Sequence, residues 1–149
     1  MHPNPIHILI VEDNSTDLLF MREALSGTSL NATLHTATNG EDAMKFLRCV
    51  GEFANAPRPD LILLDISMPR KNGHEVLTEI KTDPLLLRIP VVILTSSNAE
   101  EDISRAYAAH ANCYIRKPVD FEQFESVMAI IEQFWFNIVT LPPAKPYVH

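Results

Sequence analysis

Short apolar runs alternate with amphipathic stretches along this chain. Ile6–Val11 reads IHILIV, rich in β-branched residues, and predicts a first strand. Asn14 or Ser15 then offers a helix cap. The helix that follows would bury Leu18, Leu19, Met21, Ala24 and Leu25, whose spacing is helical, and Ser26-Gly27 would end it. Ala32–Ala37 alternates loosely between apolar and polar and predicts a second strand. Residues 40–49 predict a second helix on Ala43, Met44, Phe46 and Leu47. A loop over residues 50–59 is broken by Gly51, Pro57 and Pro59. Leu61–Leu64 is continuously apolar, as expected of a strand covered on both faces. Gly73–Thr82 carries Val76, Leu77 and Ile80 and predicts a third helix; residues 90–94, PVVIL, predict a fourth strand. Residues 100–110 predict a polar-faced helix with Ile103, Ala106 and Tyr107 inward, and residues 112–115 a fifth strand. Residues 121–136 predict a last helix on Phe124, Val127, Met128, Ile131 and Trp135. The remaining residues, 137–149, contain Pro142, Pro143 and Pro146 and cannot form a regular helix.

Strand followed by helix, about five times over, implies an α/β fold: a doubly wound five-stranded parallel sheet with helices on both faces. In such sheets ligands bind outside the carboxyl ends of the strands. The size, 149 residues, suits one domain, read as residues 1–137 with a tail from 138 to 149.

Charge narrows the function. Twelve basic against 19 acidic residues give −7, a poor balance for neutralising nucleic-acid phosphates. Cys49 and Cys113 sit in apolar stretches and read as buried thiols in a reducing compartment. No apolar run approaches the roughly 18 residues of a membrane span, and Met-His-Pro-Asn-Pro does not begin like a signal peptide. The expectation is a soluble, cytoplasmic protein. The six histidines show no close metal-ligand spacing and read as surface or strand residues. Asp17, Glu41 and Asp42 fit solvated first turns of helices, where negative charge is favourable.

The strand ends carry the chemistry. Glu12-Asp13 follows the first strand, Asp65 the third, Thr95-Ser96 the fourth and Lys117-Pro118 the fifth. Carboxylates gathered in one crevice repel and raise each other's pKa values. A hard divalent cation removes that conflict, and Mg²⁺ typically takes a few carboxylates while keeping several waters. Glu12, Asp13 and Asp65 therefore read as an open Mg²⁺ site suited to a phosphoryl group. Lys117 would supply a fixed cation and Thr95 a hydroxyl. Asp65 could act as a nucleophile, since a carboxylate can take a phosphoryl group as an acyl phosphate.

The motifs IVED, LLD followed by MP and G, ILTS, and YIRKP resemble the receiver domain of two-component response regulators over roughly residues 6–136. That resemblance implies Asp65 as phosphoacceptor, with Glu12 and Asp13 helping to bind Mg²⁺ and the main-chain carbonyl of Ser67 as third protein ligand. It implies Thr95 as switch hydroxyl, Lys117 as phosphoryl contact, Tyr114 as switch aromatic and a cis Lys117-Pro118 bond. Gly51-Glu52-Phe53, residues 57–61 (PRPDL), Phe134-Trp135 and Thr140-Leu141-Pro142 further resemble the small stand-alone response regulators of cyanobacterial phytochromes. Those are phosphorylated by a light-sensing histidine kinase and found as dimers. Whether phosphate passes onward to a downstream phosphotransfer protein is left open by the sequence.

The C-terminal apolar residues exceed what a closing helix must bury. They read as a symmetric homodimer interface using Phe134, Trp135, Ile138 and Leu141, or as a tail that covers its own domain. Three other functions compete. A Mg²⁺-dependent phosphohydrolase usually places a second acid/base carboxylate just beyond its Asp nucleophile, where this chain has Ile66 and Ser67. A scaffold receiver would lack the acceptor or the lysine, and both are present. A nucleotide-binding module would need a glycine-rich phosphate loop, and the chain has four glycines in all.

Overall fold

The central strands show how the chain sorts its residues. In the computed structural model, which describes residues 6–26 and 32–143, the sheet order is β2-β1-β3-β4-β5 with every pairing parallel. The strands are β1 (Ile6–Val11), β2 (Ala32–Ala37), β3 (Leu61–Leu64), β4 (Val91–Thr95) and β5 (Cys113–Arg116). Side chains alternate between faces along a strand. Leu9, Val11, Ile62, Leu64, Val91 and Ile93 enter one core, while Ile8, Ile10, Leu61, Leu63, Val92 and Leu94 enter the other. β3 and β4 are buried at every position, as their unbroken apolar runs require.

The helices divide accordingly. α2 (Gly40–Leu47), α3 (Gly73–Thr82) and α4 (Glu100–Ala108) cover the first core through Met44, Phe46, Val76, Leu77, Ile80 and Ala106. α1 (Ser15–Ser26) and α5 (Phe121–Gln133) cover the second through Met21, Leu25, Phe124, Met128 and Ile131. Phe20 of α1 meets Phe121 and Phe124 of α5 edge-on, with both pairs of ring centroids 5.6 Å apart. Polar residues start these helices by accepting bonds from otherwise unpartnered amides. Asn14 Oδ1 accepts from Asp17 N at 2.9 Å, and Asn39 and Asp120 act likewise for α2 and α5. Asn72 and Glu75 form a capping box on α3.

Several expectations change. Leu19 and Tyr107 are exposed, because α1 and α4 each turn a narrower stripe to the sheet than the apolar spacing suggested. Cys49 is exposed on a left-handed turn (φ 55°) after α2, and Cys113 is half-buried on an edge strand. Gly27 lies outside the described residues. No cis peptide bond occurs among the described residues, so Lys117-Pro118 is trans. The ladder continues through Lys117 N to Thr95 O (2.6 Å), which sets where the lysine leaves the sheet.

α5 also ends earlier than its periodicity implied, and a π-helical turn follows over Phe134–Ile138. The turn sends Phe136 into the core, while Trp135 and Leu141 pack half-buried against it. Phe134 (48%) and Ile138 (64%) stay exposed. The expected interface residues are thus split between self-covering and solvent-facing positions.

Strand pairing brings two of the scattered histidines together. His7 Nδ1 lies 3.0 Å from His35 Nε2, and the His35 ring also stands 5.2 Å from Phe46. Burial, then the neighbouring His7 charge, pushes the His35 pKa down. The unfolded chain therefore binds the proton more readily, so the contribution to stability is complete above the ordinary histidine range and fades as pH falls below about 6.5. Urea melts at pH 7.5 and 5.5 are expected to show a smaller acid loss of stability in His35→Phe than in wild type; equal losses would remove the pair as the cause.

Candidate functional site

The carboxyl ends of β1, β3, β4 and β5 bring the site together. The ladder continues one residue past β1 and β3: Glu12 N donates to Ala37 O and Asp65 N to Val11 O, each at 3.0 Å. These bonds fix where both side chains leave the sheet. Glu12 (1% exposed) and Asp65 (5%) are buried, while Asp13 is open to solvent. One carboxylate oxygen from each of Glu12, Asp13 and Asp65 lies within 4.8 Å of the others.

Lys117 holds the cluster. Its Nζ lies 2.7 Å from Glu12 Oε1, 2.8 Å from Asp17 Oδ2 and 3.0 Å from Asp65 Oδ2. Burial alone would lower its pKa, but hydrogen bonds to Asp17 and Glu12 and the charge of Asp65 outweigh that and hold it above the ordinary lysine value. Burial pushes Glu12 up to about 7; the bond from Lys117 opposes this and the Asp65 charge adds to it. Asp65 Oδ1 accepts from Ser67 N at 3.1 Å, and Glu12 Oε2 from Asn14 N at 3.0 Å.

Asp17 was expected on a solvated helix face. It joins the site because the Asn14 cap starts α1 directly above the end of β1. That cap and the position of Asp17 in the first turn after a strand-end acidic pair were the signal available in the sequence.

Thr95 is fully buried and its Oγ1 has no hydrogen-bond partner. Tyr114 is half-buried; its hydroxyl donates to Ser97 O at 2.8 Å, and its amide donates to the Tyr107 hydroxyl at 3.2 Å. Ser67 sits exposed two residues beyond Asp65. Phe134, Trp135 and Ile138 in the π-helical turn and Leu141 beyond it form no part of this cluster.

The β3–α3 loop is held against the site by close backbone packing. A Cβ on Gly73 would lie 2.3 Å from Asp65 O, and one on Gly40 would lie 2.0 Å from Lys71 O. Arg70 and Lys71 adopt left-handed backbone (φ 47° and 76°), which non-glycine residues seldom do. Beside Lys117 an open cleft of about 860 Å³ is lined by Asn14, Asp17, Ser96, Val119 and Gln123 among others.

This arrangement suits a hard cation and an oxyanion. Oxygen donors grouped at this range match divalent ions of the Mg²⁺ class, and the lysine can share the charge of a phosphoryl group. The donor set fits such an ion.

Comparison with known proteins gives the same direction. Residues 8–129 match the response regulator receiver domain. The chain is 44% identical to "Response regulator Rcp1" of Synechocystis over 140 residues, covering 94% of this chain and 95% of that one. The crystal structure of the phosphorylated cyanobacterial phytochrome response regulator RcpA is similar (TM-score 0.91, 46% identity, 94% of this chain and 100% of that one). So is the Mn²⁺-bound form of Rcp1 (TM-score 0.88, 44% identity, 93% and 100%).

Gly73→Ala is expected to lower stability by about 1–3 kcal/mol, the usual cost of forcing atoms into a packed site. Chemical denaturation measures it; an unchanged midpoint would mean that α3 can retreat from Asp65 at no cost.

Proposed function

This chain belongs to the response regulator receiver family, and from that membership we propose that it takes a phosphoryl group from the phosphohistidine of a sensor histidine kinase onto Asp65. The observation that carries this reading is the buried Asp65 carboxylate, bonded to Lys117 and grouped with Glu12 and Asp13. An Asp65 oxygen forms the new O–P bond as the N–P bond of the phosphoimidazole breaks, and the imidazole leaves with the electron pair. Glu12, Asp13, Asp65 and the main-chain carbonyl of Ser67 would hold Mg²⁺. When bound, the ion offsets negative charge on the carboxylates and phosphoryl oxygens.

The chain's own groups do the rest. Lys117 steadies the phosphoryl oxygens, and the unpartnered Thr95 hydroxyl donates to one of them. Movement of Thr95 opens space for Tyr114 to turn inward, and a partner reads the altered surface. The name of the similar RcpA structure supports a phytochrome as the kinase; our reading places the exchange in the cytoplasm, with a phosphotransfer protein as a further partner. The protein acts in signalling through this self-catalysed transfer, not as an enzyme on other substrates.

The tail from residue 138 joins the end of α5 in a homodimer interface. Ile130, Phe134 and Ile138 are exposed at four-residue intervals, with Trp135 and Leu141 packed beneath. That stripe supports a second copy as its occupant.

Intact mass after incubation with acetyl phosphate is expected to rise by one phosphoryl group in Mg²⁺, but neither without the ion nor in Asp65→Asn. An Asp65→Asn protein that gains the same mass would place the acceptor elsewhere. In light scattering at high micromolar concentration, the wild type is expected to run as a dimer and Ile138→Lys as a monomer. A wild type that stays monomeric would sink the interface.

A further inference from the structure

His74 is a histidine that neither the acidic cluster nor the strand pairing accounts for. It is the second residue of α3 and is buried. Its Nε2 lies 3.0 Å from Asp102 Oδ1, in the first turn of α4. A carboxylate can only accept, so Nε2 carries the proton. The other oxygen, Asp102 Oδ2, accepts from Ser97 Oγ at 2.6 Å, and Ala99 N donates to that same Ser97 Oγ at 3.3 Å. The hydroxyl bond, then the His74 bond, keeps the Asp102 carboxyl below its ordinary range. One carboxylate therefore ties three segments together: α3, α4 and the loop between β4 and α4.

That loop also receives the switch tyrosine, since Ser97 O accepts from the Tyr114 hydroxyl. At the other end, His74 follows Gly73, whose amide donates to Ile66 O at 3.1 Å and whose Cα packs on the carbonyl of Asp65. A continuous path runs from the Asp65 backbone through α3, His74, Asp102 and Ser97 to Tyr114. Because the loop starts immediately after Thr95-Ser96, Thr95 cannot shift far without dragging Ser97 and straining its bonds to Asp102 and Tyr114.

We propose that His74 and Asp102 form a latch that holds the β4–α4 loop against α3 and so sets how readily Thr95 and the contact of Tyr114 with Ser97 can move. His74 is in this sense a positioning residue: it acts on Tyr114 through Asp102 and Ser97. The link to phosphorylation rests on the reading of Asp65 as acceptor, but the latch also acts in the protein without phosphate.

The test uses His74→Phe, His74→Gln, Asp102→Asn and the His74→Phe/Asp102→Asn pair, each with circular dichroism as a folding control. The first readout needs no phosphorylation: amide hydrogen exchange over residues 97–103 and the NMR resonances of the Tyr114 ring. His74→Phe is expected to reduce protection about tenfold, the scale of losing one hydrogen bond to a charged group, and to shift the Tyr114 ring. His74→Gln, which can place an amide N–H where Nε2 stands, is expected to recover most of the protection. The double variant is expected to lose little more than either single one, because both remove the same bond. Exchange and Tyr114 resonances unchanged in His74→Phe, or losses that simply add, would overturn the latch.

The second readout is the rate of mass gain with acetyl phosphate, expected to rise several-fold in His74→Phe. If wild type takes up phosphate and this rate is unchanged, the coupling to phosphorylation is wrong. If wild type takes up none, the acceptor reading fails while the first readout still decides the latch.

Discussion

The ammonium of Lys117 meets carboxylates from three separate elements: Glu12 after β1, Asp17 in α1 and Asp65 after β3. Without it, two buried carboxylates and their neighbours would face each other at the end of the sheet. Removing one partner of a buried charge pair typically costs about 3–5 kcal/mol, because the other is left uncompensated. The fold delivers this lysine by extending the β4–β5 ladder one residue beyond the strand. The position of the site therefore depends on strand order: only with β1, β3, β4 and β5 side by side do those carboxylates and that lysine converge. The excess negative charge that remains is what gives a divalent cation its place, and burial of Glu12 sharpens the need.

Close backbone packing does for the loops what the ion pairs do for the side chains. Gly40 and Gly73 leave no room for a Cβ against Lys71 O and Asp65 O, so α2 and α3 press directly on the segment that carries Asp65. Left-handed Arg70 and Lys71 complete the turn between them. The segment is held from both sides, and a displacement at Asp65 passes to the start of α3 with little slack.

The sheet and its helices were legible because apolar runs at β3 and β4 leave one reading open, and because Glu12, Asp13, Asp65, Thr95 and Lys117 each follow a strand directly. What escaped depends on contacts between residues distant in sequence. His74 and Asp102 stand 28 positions apart and meet only because α3 and α4 pack side by side. His7 and His35 likewise meet through strand register. Asp17 was hidden by a plausible local explanation, the preference of acidic residues for a first helical turn. The exposure of Leu19, Tyr107 and Cys49 could not be read from periodicity, which marks where apolar residues recur but not how wide a stripe the neighbouring elements cover. The π-helical turn after Gln133 is of the same kind: packing of Phe136 against the α1–α5 core accompanies it, and the helical spacing through Trp135 gives no hint of it.

The sheet also divides the interior into two separate hydrophobic chambers. α1, α5 and the turn after α5 rest on one, and α2, α3 and α4 on the other. The apolar stripe of Ile130, Phe134 and Ile138 lies on the α1–α5 side, while the His74–Asp102 contact lies over the α2–α4 side. A body clamped to one side therefore need not rearrange the side chains of the other. Such a molecule can be tethered and consulted at the same time, like an instrument bolted to a bench with its dial facing the room.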